Sequence, residues 1–355
     1  TGVGSSSIFG RANDVKTDST NLISVGLINT VVVTVLNGST DKIAYSLDGG
    51  STWTGLGSTL FTTSGASVVS DGTKFLANGA GGNNLIYSYD GINWVGLGNV
   101  SNVGDGKLNY VNNIWFSANQ YGGYLSYSLD GGFTWTNLTT MDYPSGEVAY
   151  GNGVYVVSGM SVAPNNYAIA YSTNGTQWTQ STSLKGWSKT VIFNAGLFIC
   201  GMFYYSTFTT TIAWSTDGTQ WTGINTGSSV YTLAVNPNTN LYVSGGNGTN
   251  TLSYSTNGTQ WTGLGSTIFT TSCSRINYIS NLSKWFALGF GTNNVAYSTN
   301  GTQWTGLGTT LYTGYSFVGL PLFESMGGIA SLNKTDTSTI AYINKNNLTS
   351  SWTGL

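Results

Sequence analysis

Short apolar runs broken by Gly, Asn and Asp recur along the whole chain. In one such group SVVSDG begins at Ser67, KFLANG at Lys74, NLIYSYDG at Asn84 and NWVGLG at Asn93. Each run is rich in β-branched and aromatic residues and stops at a turn-forming residue, the mark of a strand. YTLAVNPN from Tyr231, LYVSGGN from Leu241, LSYSTNG from Leu252 and QWTGLG from Gln260 repeat the series. No segment carries apolar positions at the 3.6-residue spacing of a helix. In IAYS from Ile43, Ile43 and Tyr45 fall on one face, Ala44 and Ser46 on the other. Large side chains on one face and small ones on the other suit a sheet held between two similar sheets.

The groups are copies of one unit. Aligned on a Trp, they read YSLDGGSTW to Trp53, YSYDGINW to Trp94, YSLDGGFTW to Trp135, YSTNGTQW to Trp178, WSTDGTQW to Trp221, YSTNGTQW to Trp261 and again to Trp304, with a degenerate YINKNNLTSSW to Trp352. The Trp spacings are 41, 41, 43, 43, 40, 43 and 48. A period near 42 is that of a four-stranded propeller blade. The chain therefore reads as all-β, a single β-propeller domain over residues 1–355 built of four-stranded antiparallel blades. Eight blades are expected, over about 21–57, 58–98, 99–140, 141–181, 182–224, 225–265, 266–308 and 309–355. A seven-bladed ring with an odd last element is the alternative. Inner strands are expected to start near Leu22, Ser67, Lys107, Glu147, Thr190, Tyr231, Arg275 and Tyr315. TGVGSSSIF from Thr1 resembles TGLGSTLF from Thr54 and TGLGSTIF from Thr262, so residues 1–20 are expected to close the ring beside the last blade, ahead of WTGL at the end.

Within each unit, Asx-Gly between two strands predicts a tight hairpin, with positive φ at both central residues. These pairs are Asp48-Gly49, Asp90-Gly91, Asp130-Gly131, Asn174-Gly175, Asp217-Gly218, Asn257-Gly258 and Asn300-Gly301. The Ser two positions earlier (Ser46 in the first copy) can bond the turn backbone. The Trp of each copy buries a large ring where the next strand begins. Every fixed position thus has a structural task.

Composition narrows the function. Charged residues are 7% of the chain, against roughly 25% in ordinary domains. Gly accounts for 50 of 355 residues and aromatics for 14%. Net charge is −2 and the Lys and Arg form no basic run, which argues against nucleic-acid binding. No apolar stretch reaches the length of a membrane span. There is no His, which excludes His-based triads and His-ligated metal sites, and two Cys make neither a zinc cage nor a disulfide framework. Cys200 and Cys273 are expected to be separate buried thiols. No cofactor or metal is expected. Sequons such as those at Asn137 and Asn247 fit either chance in an Asn- and Thr-rich chain or a glycosylated surface protein.

The S-x-D-G-x-x-W copies resemble the Asp-box, or bacterial-neuraminidase-repeat, motif of sialidase-like β-propellers, from about Lys42 to Trp352. The resemblance implies a propeller with the motif in the turn to the outermost strand, remote from the functional face. It also implies structural roles for Ser46, Asp48, Trp53, Asp90, Trp94, Asp130, Trp135, Asn174, Trp178, Asp217, Trp221, Asn257, Trp261, Asn300 and Trp304. Three copies carry Asn, which a turn tolerates and carboxylate chemistry does not. Sialidases hold their substrate with three arginines; this chain has two, Arg11 and Arg275. Glycoside hydrolysis needs two facing carboxylates. Asp142 with Glu147 is the least poor pair, and Glu324 is the only other glutamate.

The expectation is a non-catalytic surface or structural module for recognition or assembly, extracellular, cell-surface or on a virion. It would bind a protein or a neutral glycan through the face opposite the Asp-boxes, with no nucleic-acid partner and no membrane insertion. The alternative is a divergent sialidase-like glycan-processing enzyme. Candidate contact residues on that opposite face are Tyr121, Tyr124, Asn166, Tyr167, Phe203, Tyr204, Tyr205, Phe208, Asn293 and Asn294. FYYSTF from Phe203 stands out for its aromatic density.

Overall fold

The structure is a computed structural model. It describes residues 25–28, 31–35, 40–47, 54–104, 106–119, 124–138, 143–160, 165–204, 207–280, 283–309, 322–323, 328–331, 341–344 and 353–354. It is a β-propeller. Eight four-stranded antiparallel sheets follow one another in chain order, each a simple meander of neighbouring strands. In the second, the strands run Phe61–Ser70, Phe75–Gly82, Leu85–Ser88 and Val95–Gly96. Seven sheets belong to the units whose sequence carries an Asx-Gly pair, six of them with the turn among the described residues. The eighth, from Leu322–Phe323 to Thr353–Gly354, is the odd member of the series. The predicted closing segment at residues 1–20 lies outside the described residues, as do Arg11, Asp48, Trp53, Tyr121, Asp142, Tyr205 and Glu324.

Burial follows the sandwich expected from IAYS. In the third strands Ile43–Ser46, Leu85–Ser88, Ile169–Ser172, Ile212–Ser215, Leu252–Ser255 and Val295–Ser298, three of four residues are buried and the aromatic third position is half-buried. Both faces of a blade are therefore covered, and the core lies between blades. Phe116, Ala118 and Leu125 of the third blade meet Val148, Val157 and Ala170 of the fourth in one such layer. Cys200 and Cys273 sit in two different layers as buried free thiols, as expected. Burial drives both thiol pKa values upward, so neither is reactive.

Several inner strands begin earlier than the sequence suggests. They run Phe61–Ser70, Tyr143–Gly151, Ser188–Asn194, Ser228–Asn236 and Ser272–Ile279. A register shift interrupts each near its start, for example between Ser188 and Thr190, Val230 and Thr232, and Cys273 and Arg275. A bulge breaks the two-residue alternation, so the first residues do not read as strand.

The inner strands also leave one edge without a strand partner, and side chains of the preceding blade fill part of it. Leu108 N donates to Ser67 Oγ at 3.1 Å, Val191 N to Glu147 Oε2 at 3.1 Å and Ile276 N to Thr232 Oγ1 at 3.3 Å. These three amides occupy equivalent positions, one residue past Lys107, Thr190 and Arg275. A buried backbone N–H left unbonded is costly, so these bonds fix blade order at the centre.

Candidate recognition surface and the turns opposite it

The repeated turn is built by its own polar side chains. In the sixth blade Gly258 N donates to Ser255 Oγ at 2.8 Å, and Ser255 Oγ donates to Asn257 Oδ1 at 3.1 Å. Asn257 Oδ1 also accepts from Thr259 N and Gln260 N, at 3.0 and 2.9 Å. Trp261 Nε1 closes the loop on Gly258 O at 3.1 Å. The same set recurs around Asp90, Asn174, Asp217 and Asn300. In the third blade an added residue passes the role of the glycine to Gly132, whose amide binds Ser128 Oγ. Among the six described turns only the glycines adopt positive φ. The expectation of positive φ at both Asx and Gly is corrected: the Asx stays in an ordinary conformation and caps the turn through its side chain.

Asp and Asn serve equally here because one oxygen accepts both amides. The charged versions are strongly acidic. Hydrogen bonds from Asn93 hold Asp90 far below the usual carboxylate range. For Asp217, burial pushes upward, but bonds from Gln220, Thr219 and Ser215 outweigh it and bring the value to about 2.

Each turn glycine also seats its blade on the preceding one. A β-carbon on Gly175 would lie 2.5 Å from Ile114 Cδ1, on Gly218 2.9 Å from Val156 Cγ2, and on Gly301 2.6 Å from Leu241 Cδ2. No real side chain fits those distances.

A second staple lies on the other face. The T-G-L-G sequence after the Trp has a purpose at both glycines. A β-carbon on Gly306 would strike Asn293 Cγ at 2.2 Å, and Gly308 N donates to Asn293 Oδ1 at 2.8 Å. Asn293 Nδ2 donates to Ile268 O at 2.7 Å. Asn83 with Gly96 and Gly98, and Asn250 with Gly263 and Gly265, repeat it; Asp41 does so with Gly55 and Gly57. Asn293 thus serves its own blade. Asn294 is buried and pairs its backbone with Gly308.

The other candidates fall into groups. Tyr124 opens the third strand of the third blade, opposite Asn119. Tyr167 pairs with Lys185, whose Nζ lies 6.0 Å from the ring centre, and Asn166 O accepts from Gly186 N at 2.8 Å. Phe203 and Tyr204 leave the second strand of the fifth blade at the face opposite the turns. Phe203 packs on Trp187 at 4.9 Å and Tyr231 at 5.2 Å between ring centres, with Lys189 Nζ 5.8 Å from its own. Tyr204 is anchored by its amide to Ser229 Oγ at 2.8 Å and is 45% exposed. Phe208 lies against Gly186.

The result is an aromatic and cationic surface across the fourth, fifth and sixth blades. Trp187, Lys189 and Tyr231 were not singled out from sequence. Lys189 and Tyr231 are the bulged residues of their inner strands, and a bulge re-aims a side chain toward the rim.

Glu147 is not placed for catalysis. Its Oε1 lies 2.9 Å from Lys107 Nζ, itself buried, and its Oε2 is bound to Val191 N. Burial pushes the carboxyl up, but Lys107, Thr190 and Arg275 outweigh it and hold it below the ordinary carboxylate range. A carboxylate locked in its ionised form is a poor proton donor. Among the described residues no cluster of His, Cys, Asp or Glu could hold a metal ion.

No protein-family model matches the chain, and no curated protein does. Among solved structures it is similar to YCF48 from Cyanidioschyzon merolae, with 13% identity over 94% of this chain and 99% of that one, at a TM-score of 0.57. It is similar to YCF48 bound to D1 peptide, with 16% identity over 80% and 93% and a TM-score of 0.54. It is also similar to the computationally designed Ika8 protein, with 14% identity over 94% and 99% and a TM-score of 0.60. At such identities the likeness is one of fold. The resemblance to Asp-box propellers rests on the repeated turn alone, and no comparison shows that family.

Proposed function

We propose that this chain is a non-catalytic recognition or assembly module. It binds a protein or a neutral glycan through the rim of the fourth to sixth blades, opposite the Asx-Gly turns. The observation that carries this reading is the tilted Trp187–Phe203–Tyr231 cluster, with Tyr204 exposed beside it. Rigid aromatic rings at a surface offer large contact area at low entropic cost and are enriched where proteins bind. Two facts support placing recognition here. The repeated turns spend their polar atoms on their own backbone, and Glu147 spends its carboxylate on Lys107 and Val191. A propeller of this fold has been seen with a bound peptide, in the YCF48–D1 structure.

Arrays of neutral glycans and of peptides, probed with the wild-type chain and with Tyr204→Ala, test this directly. A hit that Tyr204→Ala loses supports the reading. Hits retained in full by Tyr204→Ala and by Trp187→Ala, or no hit on either array, overturn it.

A further inference from the structure

Beyond the rim just described, a second surface stands on the opposite face, on the outward positions of the repeated turns. Of the six large hydrophobic side chains exposed among the described residues, five belong to the first three blades: Leu47, Tyr89, Val95, Leu129 and Phe133. Tyr89 and Leu129 are 63% and 64% exposed. The fourth to seventh blades carry Thr where Tyr89 and Leu129 stand, namely Thr173, Thr216, Thr256 and Thr299. Where Phe133 stands they have Thr176, Thr219, Thr259 and Thr302, and where Val95 stands, Thr179, Thr222, Thr262 and Thr305. The turn therefore folds with Thr at every one of these positions. The apolar residues are not required by the blade.

Three of them, Tyr89, Val95 and Phe133, gather around Tyr87 as one patch. Tyr87 packs edge-on against Tyr89 at 5.7 Å and against Phe133 of the next blade at 5.5 Å between ring centres. Val95 is the cross-strand partner of Tyr87. Among the described residues the charge around them is negative: Asp71, Asp90 and Asp130 flank the patch, while the cation Lys74 is drawn inward onto Gly131 O and over the Phe133 ring. Asp90 and Asp130 are both Asp, where the fourth, sixth and seventh blades have Asn.

We propose that this patch docks a polypeptide segment that alternates apolar and basic side chains. Apolar contact supplies the affinity. The aspartates set the sign of the partner and exclude acidic competitors. The two surfaces lie on opposite faces, so either can fail without the other.

The test titrates the full chain with a synthetic peptide of alternating Leu and Lys, and with its Leu–Glu counterpart, by fluorescence anisotropy. Tyr89→Thr/Val95→Thr/Phe133→Thr installs residues that the later blades already tolerate, so thermal unfolding checks folding alongside. Wild type is expected to bind the Leu–Lys peptide at least tenfold more tightly than the triple variant. Asp90→Asn/Asp130→Asn keeps the Oδ1 that accepts the turn amides and replaces the Oδ2 that accepts from Asn93 and Thr134, so its folding is checked by the same thermal unfolding; it is expected to weaken binding severalfold and flatten its salt dependence. Equal binding of both peptides, no binding of either, or an unchanged affinity in the folded triple variant overturns the proposal. So does self-association of the wild type that the triple variant abolishes, since the occupant is then a second copy.

Discussion

The α-carbon of Gly258, in the sixth blade, lies so close to Ile199 of the fifth that a β-carbon there would sit 2.6 Å from Ile199 Cδ1. The turn is therefore a joint between blades as well as a hairpin. Gly258→Ala has two costs: a left-handed φ of 77°, and a clash with Ile199 and Leu197. Gly265 shares the first without the second, with φ of 74° and open space around its β-position. The φ cost is about 1–2 kcal/mol and overpacking adds about 1–3. Urea unfolding should show Gly258→Ala the more destabilised of the two, by the overpacking amount. Equal losses would remove the joint from the account.

Trp221 is 7% exposed and donates Nε1 to Gly218 O at 3.1 Å. Trp221→Ala should cost about 3–5 kcal/mol through the cavity it leaves. Trp221→Phe keeps an aromatic ring but orphans the Gly218 carbonyl, and should cost less, about 1–3 kcal/mol. Chemical denaturation of the two variants gives the ordering.

The Lys107–Glu147 pair links the third and fourth blades, and Glu147 links onward to the fifth. Glu147→Gln leaves the Lys107 ammonium buried without its counter-charge, which should cost about 3–5 kcal/mol at neutral pH. Its partners lower the folded pKa of Glu147 beneath the ordinary glutamate value, so the unfolded chain takes up the proton more readily. Its stabilisation is complete above that value and is lost as pH falls through the folded pKa. Wild-type stability should thus drop on acidification, and Glu147→Gln should drop less steeply. A residual slope is expected from Asp90, Asp130 and Asp217, whose pKa values are lowered too. Parallel acid slopes would contradict the assignment.

Much of the fold is legible because each unit repeats its local signals. The strands around Leu76, Ile86 and Val243 read directly from composition, and the Trp period sets the blade. The turn type did not follow from Asx-Gly, because the Asx side chain bonds Thr259 N and Gln260 N and removes the need for positive φ at Asn257. Asn293 looked available in a Gly- and Asn-rich loop; its partners, Ile268 and Gly308, are distant in sequence. The rim surface was half visible. FYYSTF marks Phe203 and Tyr204, while Trp187 is joined to Phe203 by pairing within the blade and Tyr231 comes from the next blade, which only the blade order brings near. The amides of Leu108, Val191 and Ile276 give no sequence signal at all, since their acceptors are about 40 residues earlier.

Both cysteines are fully buried free thiols in different layers. A thiol reagent should find neither in the native chain and both after denaturation, and reductant should leave the melting temperature unchanged. Fast reaction of one thiol under native conditions would show that its layer opens.

The central claim is that recognition belongs to the rim around Tyr204 and architecture to the Asx-Gly turns. The most direct measurement is a binding titration of an array-identified ligand against Tyr204→Ala and Asn257→Ala, with thermal unfolding of each. Tyr204→Ala should weaken the Kd at least tenfold, about 1.4 kcal/mol, at an unchanged melting temperature. Asn257→Ala should lower the melting temperature and leave the Kd of the folded protein unchanged. The opposite pattern, with binding lost at Asn257 and kept at Tyr204, would contradict the account.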